Sequence, residues 1–283
     1  MQKFQCEEFE IMDAHTHIFP PKIAEKATVN IGHFYDIPMA EEGNAERLLQ
    51  CGAKIGTKRY LVCSTATTSH QVESINDFIA EECGKHPEFY GFGTLHPDYA
   101  DLEGETNRII RLGLHGIKLH PDFQRFDIDS PGAYKIYEQI AGRLPVLIHM
   151  GTARIVRPYD LYPSGIRKIL KSAPDIPIIM AHMGSFCMMK NPNENLENLP
   201  ENVFIDTAMS AELEEAGEFE EIIRRFGTNR VLYGSDFPYG TQKAAIARIR
   251  DSSFTDSEKE DMLWRNAAKI LKTVGKLPEN IEL

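Results

Sequence analysis

Cysteine pairs, long apolar runs and excess positive charge are all scarce in this chain. Its five cysteines, Cys6, Cys51, Cys63, Cys83 and Cys187, are scattered and form no C-x-x-C pair. That spacing argues against a disulfide framework or a thiolate zinc site. It is the cysteine usage of free thiols in a reducing compartment. No stretch approaches the ~20 apolar residues of a membrane span. The first ten residues hold Glu7, Glu8 and Glu10 and no apolar core of leader length. A soluble, cytoplasmic protein is therefore expected. Lys and Arg number 31 against 42 Asp and Glu, a formal charge of −11. Nucleic acid, which demands a cationic surface, is disfavoured as a partner, as is an anionic membrane. A small anionic substrate stays open, because a few local cations or a metal reverse the field inside a cleft.

Eight short, nearly continuous apolar runs are present: 11–17, 59–65, 89–96, 116–120, 145–151, 177–184, 203–209 and 231–236. Runs of this kind suit strands buried on both faces, as in a parallel sheet. Helix-like segments separate them at 44–55, 72–85, 101–112, 131–144, 164–172, 214–226 and 242–250, and a last one covers 256–274. Ser130-Pro131 reads as an N-cap and first turn, and Thr255 with Glu258 as a capping box. The 283 residues fit one (β/α)8 TIM barrel, which takes roughly 250. No repeat or linker marks a boundary, so a single domain over 1–283 is expected. An open doubly wound sheet is the alternative, but it would gather polar residues at one crevice. Here they end strands all along the series. The connections 18–43, with Pro20, Pro21 and Pro38, and 185–201 are irregular, and either covers a substrate or is a plain surface insertion.

The polar strand ends carry the chemistry. His15 and His17 are two residues apart on the first run, so they project to one side and both reach one ion. His149, His182 and Asp236 each stand where a later apolar run stops, with glycine two residues away. Any one of these would pass for a buried hydrogen-bonded residue. Together they converge on a barrel mouth. Neutral imidazoles and a carboxylate suit a divalent ion such as Zn²⁺. Lys118 and His120 share a face of the fourth run. A lysine inside a barrel must be paired, for example with Asp13 or a substrate anion, or be deprotonated and modified. A carbamate on Lys118 bridging two metals is one resolution. His120 contacts metal or substrate, or merely finishes its strand.

From Asp13-Ala14-His15-Thr16-His17 to Asn266-Ala267-Ala268-Lys269-Ile270-Leu271, with Gly234-Ser235-Asp236-Phe237-Pro238 between, the chain resembles the amidohydrolase superfamily. It is most similar to the branch of aminocarboxymuconate-semialdehyde decarboxylase and related aromatic acid decarboxylases. The resemblance implies one metal on His15, His17, His149 and Asp236, with His182 positioning or activating the bound water or substrate. In binuclear relatives the histidine equivalent to His182 binds a second metal and a strand-four lysine, here Lys118, bridges. The Lys118-x-His120-Pro121 pattern is not typical of the decarboxylases. Asn266 is expected to tie the last helix, without a catalytic role.

Three functions are compatible with these residues. In the favoured one, metal-activated water hydrolyses a small amide, ester or lactone, with Asp236 or His182 shuttling the proton. The preference rests on the extra ligand-type groups of Lys118 and His120. The alternative is metal-dependent, non-oxidative decarboxylation of an unsaturated or aromatic acid, with Arg154, Arg157 and Arg125 as carboxylate clamps. The third is a non-catalytic, metal-stabilised binding protein, which would be expected to have lost one of these costly polar residues. One Zn²⁺ per chain is expected, or two if Lys118 bridges, and a homodimer is the default assembly.

Overall fold

The eight apolar runs form eight parallel strands. The computed structural model describes residues 9–151, 163–184, 196–210 and 216–273. Within them lie β1 (Met12–His17), β2 (Arg59–Cys63), β3 (Phe89–Thr94), β4 (Gly116–Leu119), β5 (Val146–Ile148), β6 (Ile178–Met180), β7 (Val203–Asp206) and β8 (Val231–Leu232), paired in chain order. The sheet closes on itself. Ala14 N–H donates to Tyr233 O (2.8 Å), His17 N–H to Phe237 O (2.7 Å), and Asp236 N–H back to His15 O (2.9 Å). The architecture is the expected (β/α)8 TIM barrel, and closure removes the open-sheet alternative.

Alternation along the strands sorts the core into two layers. Leu61, Phe92, Leu147, Ile179, Phe204 and Leu232 fill the interior, and Trp264, Ala267, Ile270 and Leu271 of the C-terminal helical segment join this layer. Tyr60, Val62, Ile117, Val146, Ile178 and Val203 face outward, into the layer shared with the helices. β1 breaks the alternation once. Asp13 pairs with Tyr60 and Thr16 with Val62, so three steps on β1 match two on β2. This bulge reverses side-chain parity. Met12 and Ala14 lie in the interior layer before it. Beyond it His15 and His17 turn to the barrel mouth, while Thr16 Oγ1 donates to Leu61 O (2.7 Å). Strict alternation from Met12 would have aimed both histidines outward.

The helices are α1 (Ala24–Tyr35), α2 (Ala45–Ala53), α3 (Val72–Lys85), α4 (Leu102–Arg111), α5 (Pro121–Gln124), α6 (Pro131–Ile140), α7 (Pro163–Ser172), α8 (Ala216–Phe226), α9 (Gln242–Arg250), α10 (Asp256–Glu260) and α11 (Asn266–Thr273). The cap at Ser130 and the capping box at Thr255 form as expected. Two segments differ from the sequence expectation. The connection 18–43 is not wholly irregular but contains α1, whose Ile23, Ala27, Ile31 and Phe34 recur at helical spacing. The last helix is interrupted by a π-turn over Asp261–Arg265. Asn266 N–H bonds to Asp261 O, which leaves Met262 O to accept from Tyr233 N–H (2.8 Å). The π-turn thereby joins this helix to the end of β8. Asn266 ties the same join, its Nδ2 donating to Thr228 O and Val231 O (2.8 Å each). No helix among the described residues is long and apolar enough to cross a membrane. Of the connection 185–201, residues 185–195 lie outside the described residues.

Asp13, fully buried, locks the seam from outside the barrel. It accepts from Ser235 N–H (3.0 Å), Ser235 Oγ (2.6 Å) and Gln242 Nε2 (3.0 Å). Its partners are therefore Ser235 and Gln242, and not Lys118. Asp13→Ala strands these donors in a buried setting, each worth about 1–3 kcal/mol. Urea denaturation is expected to show a loss of about 2–4 kcal/mol, and an unchanged midpoint would mean that the seam does not depend on Asp13.

Candidate metal centre

Closure of the barrel brings donors from opposite ends of the chain together. His15 Nε2 and His17 Nε2 lie 3.1 Å apart, and Asp236 Oδ1 lies 3.3 Å from the first and 3.2 Å from the second. All three side chains are buried. Gly234 makes the approach possible, because a Cβ there would meet His15 Cβ at 3.0 Å.

Asp206, at the end of β7, orients this set. Its Oδ2 accepts from His15 Nδ1 (2.8 Å), and its Oδ1 accepts from His182 N–H (2.8 Å) and Ala208 N–H (3.1 Å). Burial raises its carboxyl, but the His15 contact and these donors outweigh burial and hold it at about 2. An ionised carboxylate only accepts, so His15 carries its proton on Nδ1. Its Nε2 lone pair therefore faces His17 and Asp236. Asp236 has less support, and burial raises its carboxyl to about 7. Facing imidazole nitrogens beside a buried carboxylate need a cation between them. Their spacing suits one, since ligand nitrogens on tetrahedral zinc are about 3.3 Å apart.

Among the described residues, two donor groups lie within 4.8 Å, His15 with His17 and Asp236, and His15 with His182 and Asp206. The second is not an independent cation site, because both Asp206 oxygens are occupied by N–H donors. Lys118 Nζ, fully buried, touches His15 Nε2 at 2.9 Å. Burial pushes its ammonium down, towards the neutral amine that a neighbouring cation tolerates.

The other expected residues form a second rank. His182 Nδ1–H donates to Ala208 O (3.3 Å), which leaves Nε2 to accept from His149 Nδ1 (2.9 Å). His149 Nε2 faces Tyr35 OH (3.4 Å), and the same hydroxyl lies 3.2 Å from His120 Nε2. His149 thus stands behind His182 and belongs to neither donor group. His120 stacks on His149, ring centroids 3.9 Å apart, and its Nδ1 has no hydrogen-bond partner among the described residues. Burial pushes the imidazoliums of His15, His149, His120 and His182 down, so neutral rings prevail. A small cavity, about 320 Å³ with the space open to solvent included, is lined by His17, Tyr35, His120, His149, His182 and Asp236. His182 and Asp236 both hold left-handed backbone, φ 58° each, strain of a kind found at functional sites. Arg125 is exposed at the end of α5 and lines no cavity described here. Arg154 and Arg157 lie outside the described residues.

Sequence reasoning missed Asp206 and Tyr35. Asp206 had the same signal as the others, a ligand-type residue ending an apolar run. Tyr35 sits on α1, which was not read as a helix.

The family model described as Amidohydrolase matches residues 12–273. The chain belongs to the amidohydrolase family. A curated relative, 2-amino-3-carboxymuconate-6-semialdehyde decarboxylase of Dictyostelium discoideum, is 22% identical over 241 residues, 70% of this chain and 65% of that protein. The match therefore spans less than two thirds of that relative. Solved structures of the same fold include 5-carboxyvanillate decarboxylase from Sphingomonas paucimobilis, with TM-score 0.67 and 18% identity over 94% of this chain and 99% of that one. Another is a dihydroxybenzoic acid decarboxylase from Polaromonas sp. JS666 with bound manganese, with TM-score 0.70 and 15% identity over 93% and 97% of the two chains.

The favoured expectation of amide, ester or lactone hydrolysis is overturned, since these relatives are decarboxylases. His120, one of the groups that favoured hydrolysis, joins neither donor group found among the described residues. His120 turns to Tyr35 and His149, and Lys118 contacts His15.

The donor set predicts its own test. Elemental analysis of purified Asp236→Ala and His17→Ala is expected to show loss of the divalent ion. Asp206→Asn is expected to weaken metal affinity about 10–100-fold while keeping the site. Full metal retention in Asp236→Ala would remove that residue from the ligand set.

Proposed function

We propose that the protein is a metal-dependent, non-oxidative decarboxylase of a small unsaturated or aromatic carboxylic acid. The observation that carries this reading is a single donor trio, His15, His17 and Asp236, facing a histidine-lined cavity in a chain whose named relatives lose CO₂. One Zn²⁺ per chain is the ion we assign, since imidazole and carboxylate donors bind it ahead of manganese. When bound, such an ion supplies Lewis-acid polarisation of the acid's oxygens.

The remaining work falls to the chain. Decarboxylation breaks the bond from carbon to the carboxylate and places a proton on that carbon. His182 is the group we assign to carry the proton. It lines the cavity, its Nδ1 proton is held on Ala208 O, and the proton it gives up is a second one, taken up on Nε2 to form the imidazolium and passed to the carbon as the bond to the carboxylate breaks. His149 Nδ1 stands 2.9 Å from that nitrogen, so Tyr35 and His149 form the line of resupply. Tyr35, Tyr239, Ile37 and Met209 wall the space beside the metal donors. Asp206 acts through His15 and the His182 backbone, as a positioning residue. Lys118 serves as a neutral amine beside His15.

Turnover in D₂O tests this reading. Metal-loaded protein incubated with hydroxybenzoate and unsaturated-acid panels is expected to release CO₂ and leave one deuterium at the carbon that bore it. No CO₂ from any acid, with metal bound, would overturn it. His182→Asn is expected to lower kcat about 10²–10⁴-fold with metal content retained. Equal loss of metal and activity would make His182 a ligand instead.

A further inference from the structure

A second and larger chamber adjoins the metal cavity. It encloses about 1350 Å³, including space open to solvent. Its walls are two helical faces, Ile23, Ala27, Ile31 and Phe34 of the α1 segment and Ser74, Ile75 and Phe78 of α3. The first set recurs at three- and four-residue spacing, and Ser74 and Ile75 lie one turn before Phe78, so one face of each helix is turned to the chamber. Phe34 and Phe123 meet edge to face, with centroids 4.9 Å apart. Phe123 stacks on His120 at 3.9 Å, so this aromatic pair stands between the chamber and the histidine rank. His17 and Tyr239 line both spaces, which therefore adjoin at the metal centre. Among the described residues no Asp, Glu, Lys or Arg lines the chamber, and away from His17 and Tyr239 its polar lining is Asn30, Gln71 and the hydroxyls of Ser and Thr residues. A charged group placed there would lose hydration without a partner, whereas an alkyl or aryl group gains by burial. Ile23 is half exposed, at 50%, and Ile31, Phe34, Phe78 and Phe123 are partly exposed, so the walls are incompletely covered.

We propose that this chamber binds an uncharged alkyl or aryl extension of the acid whose carboxylate lies at the metal centre. The proposal rests on the reading that the centre takes a carboxylic acid. It assigns substrate class to α1 and α3 rather than to the barrel strands. The occupant is part of the ligand, because the chamber opens onto a metal donor, His17, and not only onto solvent.

Calorimetric titration of the metal-loaded full chain with straight-chain carboxylates from acetate to decanoate tests it. Each buried methylene is worth about 0.8 kcal/mol, or about fourfold in affinity. A rise of that order per carbon is expected until the chamber fills. Ala27→Trp, which fills the chamber from α1, is expected to flatten the rise and leave metal content and acetate affinity unchanged. Affinity independent of chain length in the wild type, or the same slope in Ala27→Trp, would overturn the proposal. So would sedimentation showing a dimer that Ala27→Trp splits, because the face would then belong to a second copy. The titration does not read turnover. Chain-length-dependent binding together with no CO₂ release from the hydroxybenzoate and unsaturated-acid panels would sink the decarboxylase reading alone. CO₂ release from those panels with a flat alkanoate series would sink the chamber alone.

Discussion

Backbone hydrogen bonds across the seam between β1 and the segment after β8 hold the metal donors in register. His15 and His17 belong to one side of that seam and Asp236 to the other, and the bond from Asp236 N–H to His15 O joins two of them directly. The donor trio cannot assemble before the barrel closes, since its members are more than two hundred residues apart in sequence. The bulge in β1 is equally necessary, for without its extra residue the pleat would turn both histidines into the helix layer. Asp13 anchors the seam from that outer layer, so the one residue whose parity the bulge leaves outward stabilises the closure that the inward ones require.

Electrostatic cost explains why the polar groups are arranged in ranks. Eight buried ionisable groups crowd the mouth, His15, His17, Lys118, His120, His149, His182, Asp206 and Asp236, and water cannot solvate them. Asp206 is stabilised fully by protein donors and stays ionised. Asp236 is not, and its carboxyl rises to about 7. The imbalance separates the two aspartates by role: one fixes imidazole orientation, and the other has unspent capacity for a cation. The neutral histidines behind them form a directional chain, because the Ala208 carbonyl fixes the first proton and each later tautomer follows from it.

Much of this was legible in sequence because a buried parallel strand leaves a plain trace, an apolar run ending abruptly in a polar residue. That trace located all eight strands and the residues His15, His17, His149, His182 and Asp236. Asp206 carried the same trace, but an aspartate without a flanking glycine was not weighed as part of the site. The bulge was not legible, since parity depends on pairing with β2 and not on β1 itself. α1 was obscured by Pro20 and Pro21, although prolines often precede a helix and its apolar spacing was visible. The hydrolase expectation was overturned by the relatives, and it had rested on residue type alone. Residue type shows which atoms are able to bind a metal, and not which way the rings turn. His120 has the right atoms, but it is committed to Tyr35 and to stacking on His149.

α1 links these observations. Phe34 faces the large apolar chamber, while the next residue, Tyr35, reaches His120 and His149 in the metal cavity. Adjacent helical residues point about 100° apart, so one helix inserted after β1 forms a wall of both spaces at once. A change in its tilt would move the aromatic partition and the Tyr35 hydroxyl together. Coupling of this kind lets an inserted segment alter which ligand fits while the strand-borne donors stay fixed. The barrel therefore sets the metal chemistry, and the segment between β1 and β2 sets what that chemistry meets.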